Sequence, residues 1–138
     1  MSKNEEKQLN NILLSFKKAM TDSFFRDAKQ LGFSPSNFEI LIYLSRNGPA
    51  TMKNIASWLS ITPPSASSLV DKLVAKKFII RISSDKDRRM IRVALGKEAH
   101  KLFNELRKKK LVLFEKMLKR LNKKDKEDLV RILNKCLS

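Results

Sequence analysis

At 138 residues the chain has the length of a single domain, and its 42% hydrophobic fraction suits a folded core rather than a disordered tail. No apolar stretch approaches the ~20 residues of a membrane span, the opening Met1-Ser2-Lys3-Asn4-Glu5-Glu6 lacks a signal-peptide core, and the one cysteine, Cys136, excludes a disulfide framework, so a cytoplasmic protein is expected. The net charge of +16, from 30 Lys/Arg against 14 Asp/Glu, points to a polyanionic partner, because a positive field raises affinity and encounter rate for phosphate backbones.

Leu9, Ile12, Leu13, Phe16, Met20, Phe24, Ala28 and Leu31 recur at three- and four-residue steps, which predicts a long amphipathic helix stopping near Gly32. Ser34-Pro35 restarts the chain as an N-cap with proline in the first turn, and Phe38, Leu41, Ile42 and Leu44 form the buried stripe of a helix closed by Asn47-Gly48-Pro49. Thr51 caps a short helix with Ile55, Ala56 and Leu59 inward. After a turn at Ser60-Ile61, Thr62-Pro63 opens a helix to about Lys76, its inner face Ala66, Leu69, Val70 and Leu73.

Phe78, Ile80 and Ile82 then alternate on one side of a polar loop, and Ile91, Val93 and Leu95 on the other. A period of two marks strands with one buried face, so the pair predicts a β-hairpin whose projecting tip carries Asp85, Asp87, Arg88 and Arg89. A second long helix follows, with Ala99, Leu102, Phe103, Leu106, Leu113, Phe114, Met117, Leu118 and Leu121 on its stripe. Asn122 caps a final helix with Leu129, Ile132, Leu133, Cys136 and Leu137 inward, and neither an internal repeat nor a flexible Gly/Ser linker interrupts the series.

Helix, turn, helix and basic hairpin make the layout of a winged helix-turn-helix, so the expected fold is mainly α with a small β-hairpin wing. Residues 34–96 form the winged unit of one domain, flanked by helical regions 1–33 and 97–138. The three stretches 1–33, 34–96 and 97–138 carry net +2, +6 and +8. The excess is thus spread along the chain, and the order of elements, more than the charge, carries the expectation of double-stranded DNA as partner. The terminal stripes are too long for the small winged core to cover, and such apolar surface is seldom left in water. They are expected to interleave with a second chain as a homodimer through Leu9, Ile12, Phe16, Met20, Leu129, Ile132, Leu133 and Leu137, matching a two-fold DNA site. The alternative is that the first and last helices of one chain pack on each other.

The second helix of a helix-turn-helix enters the major groove with its N-terminal residues at the base edges. Here Thr62, Pro64, Ser65, Ser67 and Ser68 are the expected DNA contacts, with Asp71 also outward and Lys72 and Lys76 placed for phosphates. No Arg, Asn or Gln stands in the first turns, so direct base readout is expected to be weak and the wing and DNA shape to contribute more. The competing view is that the serines are ordinary solvated surface. At the wing, Asp87 and Arg89 stand two apart, so in an extended segment the aspartate can orient the arginine for a minor groove, with Arg88 beside it. Set against that is a surface ion pair of little energetic consequence.

The run Ile55-Ala56-Ser57-Trp58-Leu59-Ser60-Ile61-Thr62, then Leu69-Val70-Asp71-Lys72-Leu73, then the wing residues Asp85, Asp87, Arg88 and Arg89 with Leu95 in the closing strand, resembles the MarR family of bacterial transcription regulators over essentially the whole chain. The resemblance implies a homodimer with helices at both chain ends forming the interface. It also implies binding to pseudo-palindromic promoter DNA, with repression as the expected mode and release by a small-molecule effector. Two positions depart from the family pattern. Lys77 stands where glycine is usual, so the recognition helix is expected to end differently, and Gly96 replaces the usual threonine cap, a role glycine fulfils tolerably.

Catalysis is not expected. The only histidine, His100, and Cys136 lie 36 positions apart, three glycines make no phosphate loop, and no metal-ligand cluster or cofactor motif is present in the sequence. His100 reads as a helix-surface or interface residue and Cys136 as packing, with a sensing thiol beside Lys135 as the alternative. Trp58 is expected to pack partly against the terminal helices, or else to wall an effector pocket. The rival function is a sequence-indifferent architectural DNA-binding protein; either kind would sit on the nucleoid.

Overall fold

A computed structural model describes residues 1–83 and 91–138, and of Ser23 and Phe24 the backbone alone. In chain order the elements are α1 (Lys3–Gln30), α2 (Pro35–Asn47), β1 (Ala50–Thr51), α3 (Met52–Leu59), α4 (Pro63–Ala75), β2 (Ile79–Ser83), β3 (Ile91–Leu95), α5 (Lys97–Leu118) and α6 (Lys123–Leu137). Met1–Phe103 and Asn104–Ser138 are separate compact units, α5 running from the first into the second. Among the described residues no helix is long and apolar enough to cross a membrane.

Helix starts follow from side-chain caps. Ser2 with Glu5, Ser34 with Asn37, Thr51 with Asn54 and Asn122 with Asp125 each form a reciprocal capping box, satisfying amide protons that the first helical turn leaves over. Helix stops follow from left-handed residues. At the end of α1, Gly32 takes φ +75°, its N–H reaches Lys29 O (3.0 Å), and the Phe33 N–H reaches Ala28 O (3.1 Å). Ser60 (φ +55°) ends α3 in the same way, with Ile61 N–H on Ala56 O at 3.0 Å.

Lys77 (φ +66°) ends α4 likewise, its N–H on Val74 O at 3.0 Å and the Phe78 N–H on Leu73 O at 2.9 Å. The expectation that a non-glycine here changes the stop is therefore overturned. The two backbone bonds, with Leu73 and Phe78 both buried, hold the left-handed turn against the preference of the lysine. Gly96 also has a different role from the tolerable cap expected of it. A Cβ there would lie 2.5 Å from Lys77 O and 3.1 Å from the Phe78 carbonyl carbon, so the backbones meet at a distance that only glycine permits. Across this contact the Gly96 N–H donates to Phe78 O (2.8 Å) and the Glu98 N–H to Lys77 O (3.2 Å), which ties the start of α5 to the end of α4.

The core of the first unit centres on α2, which meets α1, α3, α4 and β3. A helix enclosed on several sides buries more than one stripe, so Ile40 and Asn37 are fully buried beside Phe38, Leu41 and Leu44, whereas the expected Ile42 is half-buried. Leu59 and Leu69 are likewise half-buried, while Ile55, Val70 and Leu73 are wholly enclosed. Phe33 joins two core rings edge-on, with centroids 6.5 Å from Phe38 and 4.8 Å from Phe78.

The sheet has three antiparallel strands in the order β1-β3-β2. The two-residue β1, unmarked by any alternation, pairs Ala50 with Val93. In the hairpin Ile79 pairs with Leu95, Arg81 with Val93 and Ser83 with Ile91, so odd positions share one face and Ile80 and Ile82 lie on the other. The two alternating sets read as one buried face are thus on opposite faces. Ile79 and Val93 are buried, while Ile80, Ile82 and Ile91 are exposed: period two marks a face, but the register decides which face meets the core.

Candidate nucleic-acid interface

The helix-turn-helix comprises α3, the Ser60 turn and α4. Thr62 is the N-cap of α4 and is exposed, as are Pro64, Ser65 and Ser68, while Ser67 is half-buried. Thr62 Oγ1 accepts the Ser65 N–H (3.3 Å) and donates to Ser65 Oγ (2.9 Å), which leaves the Ser65 hydroxyl proton for an outside acceptor.

A helix N-terminus ordinarily binds anions through free amide groups. Here Pro63 and Pro64 have none, the Ser65 amide is capped by Thr62, and the Ala66 amide bonds Thr62 O at 3.0 Å. The leading end of α4 therefore offers hydroxyls and an apolar proline surface, and no backbone phosphate clamp. That surface can sit close to a base edge or a thymine methyl, but it cannot make the bidentate contacts of Arg, Asn or Gln.

Three basic groups near α4, Arg81, Lys72 and Lys76, are engaged within the protein. Arg81 Nη2 pairs with Asp71 Oδ1 across the face of the ribbon that looks toward α4, a contact largely open to solvent and so of small energetic weight. Lys72 Nζ donates to Gly32 O, and Lys76 Nζ donates to Leu31 O at 2.5 Å. Asp85, Asp87, Arg88 and Arg89 lie outside the described residues.

Sequence reasoning missed Asn37. It is 1% exposed, its Oδ1 accepts from Ser34 N–H and Oγ (2.9 Å each), and its Nδ2 donates to Leu69 O at 3.0 Å. The capping spacing with Ser34 was legible, but the long-range bond that fixes the backbone of α4 was not. Trp58 is half exposed, and its ring meets Tyr43 of α2 at 4.9 Å.

In α1, Leu9, Ile12 and Phe16 are exposed and Met20 half-buried, and Leu13 and Leu14 are also open. In the second unit α6 buries nothing: Ile132, Leu133 and Leu137 are exposed and Leu129 half-buried. Cys136, expected as packing, is exposed in the single chain, because α6 has no described neighbour that encloses it. His100 is exposed in the first turn of α5.

Residues 31–90 match the model of the MarR family. The HTH-type transcriptional regulator YwoH of Bacillus subtilis is 31% identical over 96 residues, 70% of this chain and 69% of that protein. The HTH-type transcriptional repressor MdtR of Bacillus subtilis is 28% identical over 108 residues, 75% of this chain and 69% of its own length. A mutant of MepR from S. aureus, solved bound to an oligodeoxyribonucleotide, has the same fold: TM-score 0.72 at 22% identity, over 94% of this chain and 95% of that one.

Proposed function

The chain belongs to the MarR family of transcription regulators, and from that premise we propose that it acts as a homodimeric repressor on a pseudo-palindromic promoter site, released by a small-molecule effector. It is a DNA-binding regulator of the winged helix type. The observation that carries the finer reading is the leading end of α4, where Thr62, Pro64, Ser65 and Ser68 form an exposed, narrow surface at the position from which a recognition helix reads the major groove. Ser67 flanks it, and Asp87, Arg88 and Arg89 of the wing follow β2 in the chain. Residues 34–96 make the DNA-binding unit, and 1–33 with 97–138 the dimerisation region.

Dimerisation is supported by apolar side chains that α1 and α6 each leave in water, Ile12 at 57% and Leu133 at 48% exposure among them. Repression is supported by the relative MdtR, named a repressor, and a DNA partner by the oligodeoxyribonucleotide bound to MepR. Effector release follows from family membership alone.

Selection from a random duplex pool, followed by salt titration of the winner, tests the proposal. Expected are inverted half-sites about 10 bp apart, a preference of ~10³ over random sequence, and a log–log salt slope near −0.9 per phosphate contact. Direct repeats would refute the two-fold geometry. Equal affinity for every duplex would make the chain an architectural binder, and a flat salt response would remove phosphate anchoring altogether.

A further inference from the structure

The C-terminal stop of α1 leaves work undone. Its two left-handed-turn bonds satisfy Lys29 O and Ala28 O, but the carbonyls of Leu31 and Gly32, which follow the last turn, point out of the helix at its electronegative end. Both are met by ammonium groups from α4: Lys72 on Gly32 O and Lys76 on Leu31 O. Lys72 and Lys76 are one helical turn apart, so they lie on the same face of α4 and grip adjacent carbonyls of one elbow. The Lys76 ammonium also stands 5.1 Å from the centroid of the Phe33 ring, the residue that closes the stop. Asn37, buried just beyond the elbow, adds a third bond to α4 through Leu69 O.

We propose that Lys72 and Lys76 are positioning residues, which set the angle of the recognition helix by clamping it to the C-terminal carbonyls of α1, and that they are not phosphate ligands. This rests on α4 being the recognition helix. It gives two of the basic residues nearest the groove a part in specificity that a charge map assigns to affinity. It also connects α1, which bears the proposed dimer face, to the helix that reads DNA through Leu31, Gly32 and Phe33.

The two roles separate by salt dependence. A phosphate ligand releases counterions, so its removal lowers affinity for all duplexes together and flattens the slope by ~0.9 per contact. A positioning residue leaves the slope in place and lowers only the preference for the correct site.

The test uses the full chain with Lys72→Met, Lys76→Met and both together, titrated with salt against the selected duplex and a random duplex, with circular dichroism to verify folding. Expected for the double variant are a slope equal to that of the unmodified chain, random-duplex affinity within about twofold, and a site preference reduced by ~10-fold or more. Slopes that fall by ~2 per dimer for each lysine replaced, with both duplexes weakened alike, overturn the proposal in favour of phosphate contact. Unchanged slope and unchanged preference overturn it too. A flat slope for the unmodified chain instead rejects the DNA-binding surface itself, so the two failures are distinguishable. Should the double variant unfold, the single variants decide by the same two readouts.

Discussion

Lys77→Gly should stabilise this protein although it deletes a whole side chain and a charge. Lys77 holds φ +66° because α4 stops there in a left-handed turn, and that conformation costs an L-residue about 1–2 kcal/mol through crowding of its Cβ. Glycine removes the crowding but adds freedom to the unfolded chain, which takes back roughly 0.4–1 kcal/mol. The net gain is about 0.5–1 kcal/mol, or ~2–4 °C in Tm for a chain of this size. Gly96→Ala should do the reverse, since its new Cβ would lie 2.5 Å from Lys77 O and 3.1 Å from the Phe78 carbonyl carbon, both backbone atoms. Overpacking of that kind costs about 1–3 kcal/mol. The double variant separates side chain from backbone: the clash is with the carbonyl oxygen, which glycine at position 77 retains, so Lys77→Gly should not rescue Gly96→Ala. Thermal unfolding at one fixed chain concentration reads all three, because assembly makes Tm concentration-dependent. A lower Tm for Lys77→Gly, or a double variant that unfolds at no lower a temperature than Lys77→Gly alone, would refute the geometry of the stop.

Leu133→Asp should leave a folded monomer by sedimentation and abolish operator binding, because Leu133 is half exposed in the single chain and a charge there is tolerated until a partner covers it; an unmodified chain that sediments as a monomer ends the dimer proposal. Arg89→Ala should cost about 1–3 kcal/mol of DNA binding for each wing with little change in Tm, measured by titration at moderate salt. Asp87→Ala tests the orienting role by sign: loss of a negative charge alone predicts tighter binding, loss of a positioner predicts weaker binding, and equal or tighter binding would reduce the wing to a diffuse basic patch.

What the sequence disclosed was whatever depends on neighbours along the chain. The caps Ser34 and Asn122, the stop at Gly32, and the prolines that open α2 and α4 are all local, and each element begins or ends close to where these residues predict. What it withheld was tertiary. The register that puts Ile80 and Ile82 on the open face depends on how two strands meet, not on the alternation within either. The bond from Asn37 to Leu69 O spans 32 positions, and that from Lys76 to Leu31 O spans 45. A lysine pattern reads the same whether its ammonium faces a phosphate or a carbonyl. Gly96 is the sharpest instance, since nothing beside it in the chain announces that Lys77 will lie against it.

These tertiary contacts change where DNA affinity has to originate. Arg81 is held by Asp71, and Lys72 and Lys76 are held by α1. The leading turn of α4 carries no cation and, through Pro63 and Pro64, no free amide. On the proposed reading, α4 is among the described residues a poor phosphate binder, and its leading turn offers small exposed hydroxyls for close approach. Close approach of such a surface is sensitive to the angle of the helix, because a serine hydroxyl reaches little beyond its own backbone. A long arginine can follow a misplaced base edge, but Ser65 and Ser68 cannot. Precise placement of α4 thus substitutes for side-chain reach, and it is here that the clamp to α1 and the buried Asn37 act on specificity. On the proposed reading, the long-range attraction is expected from the rest of a chain with net charge +16, Arg88 and Arg89 included. Neutralising those two arginines should flatten the salt slope, whereas loosening α4 should blunt sequence preference while leaving the slope intact.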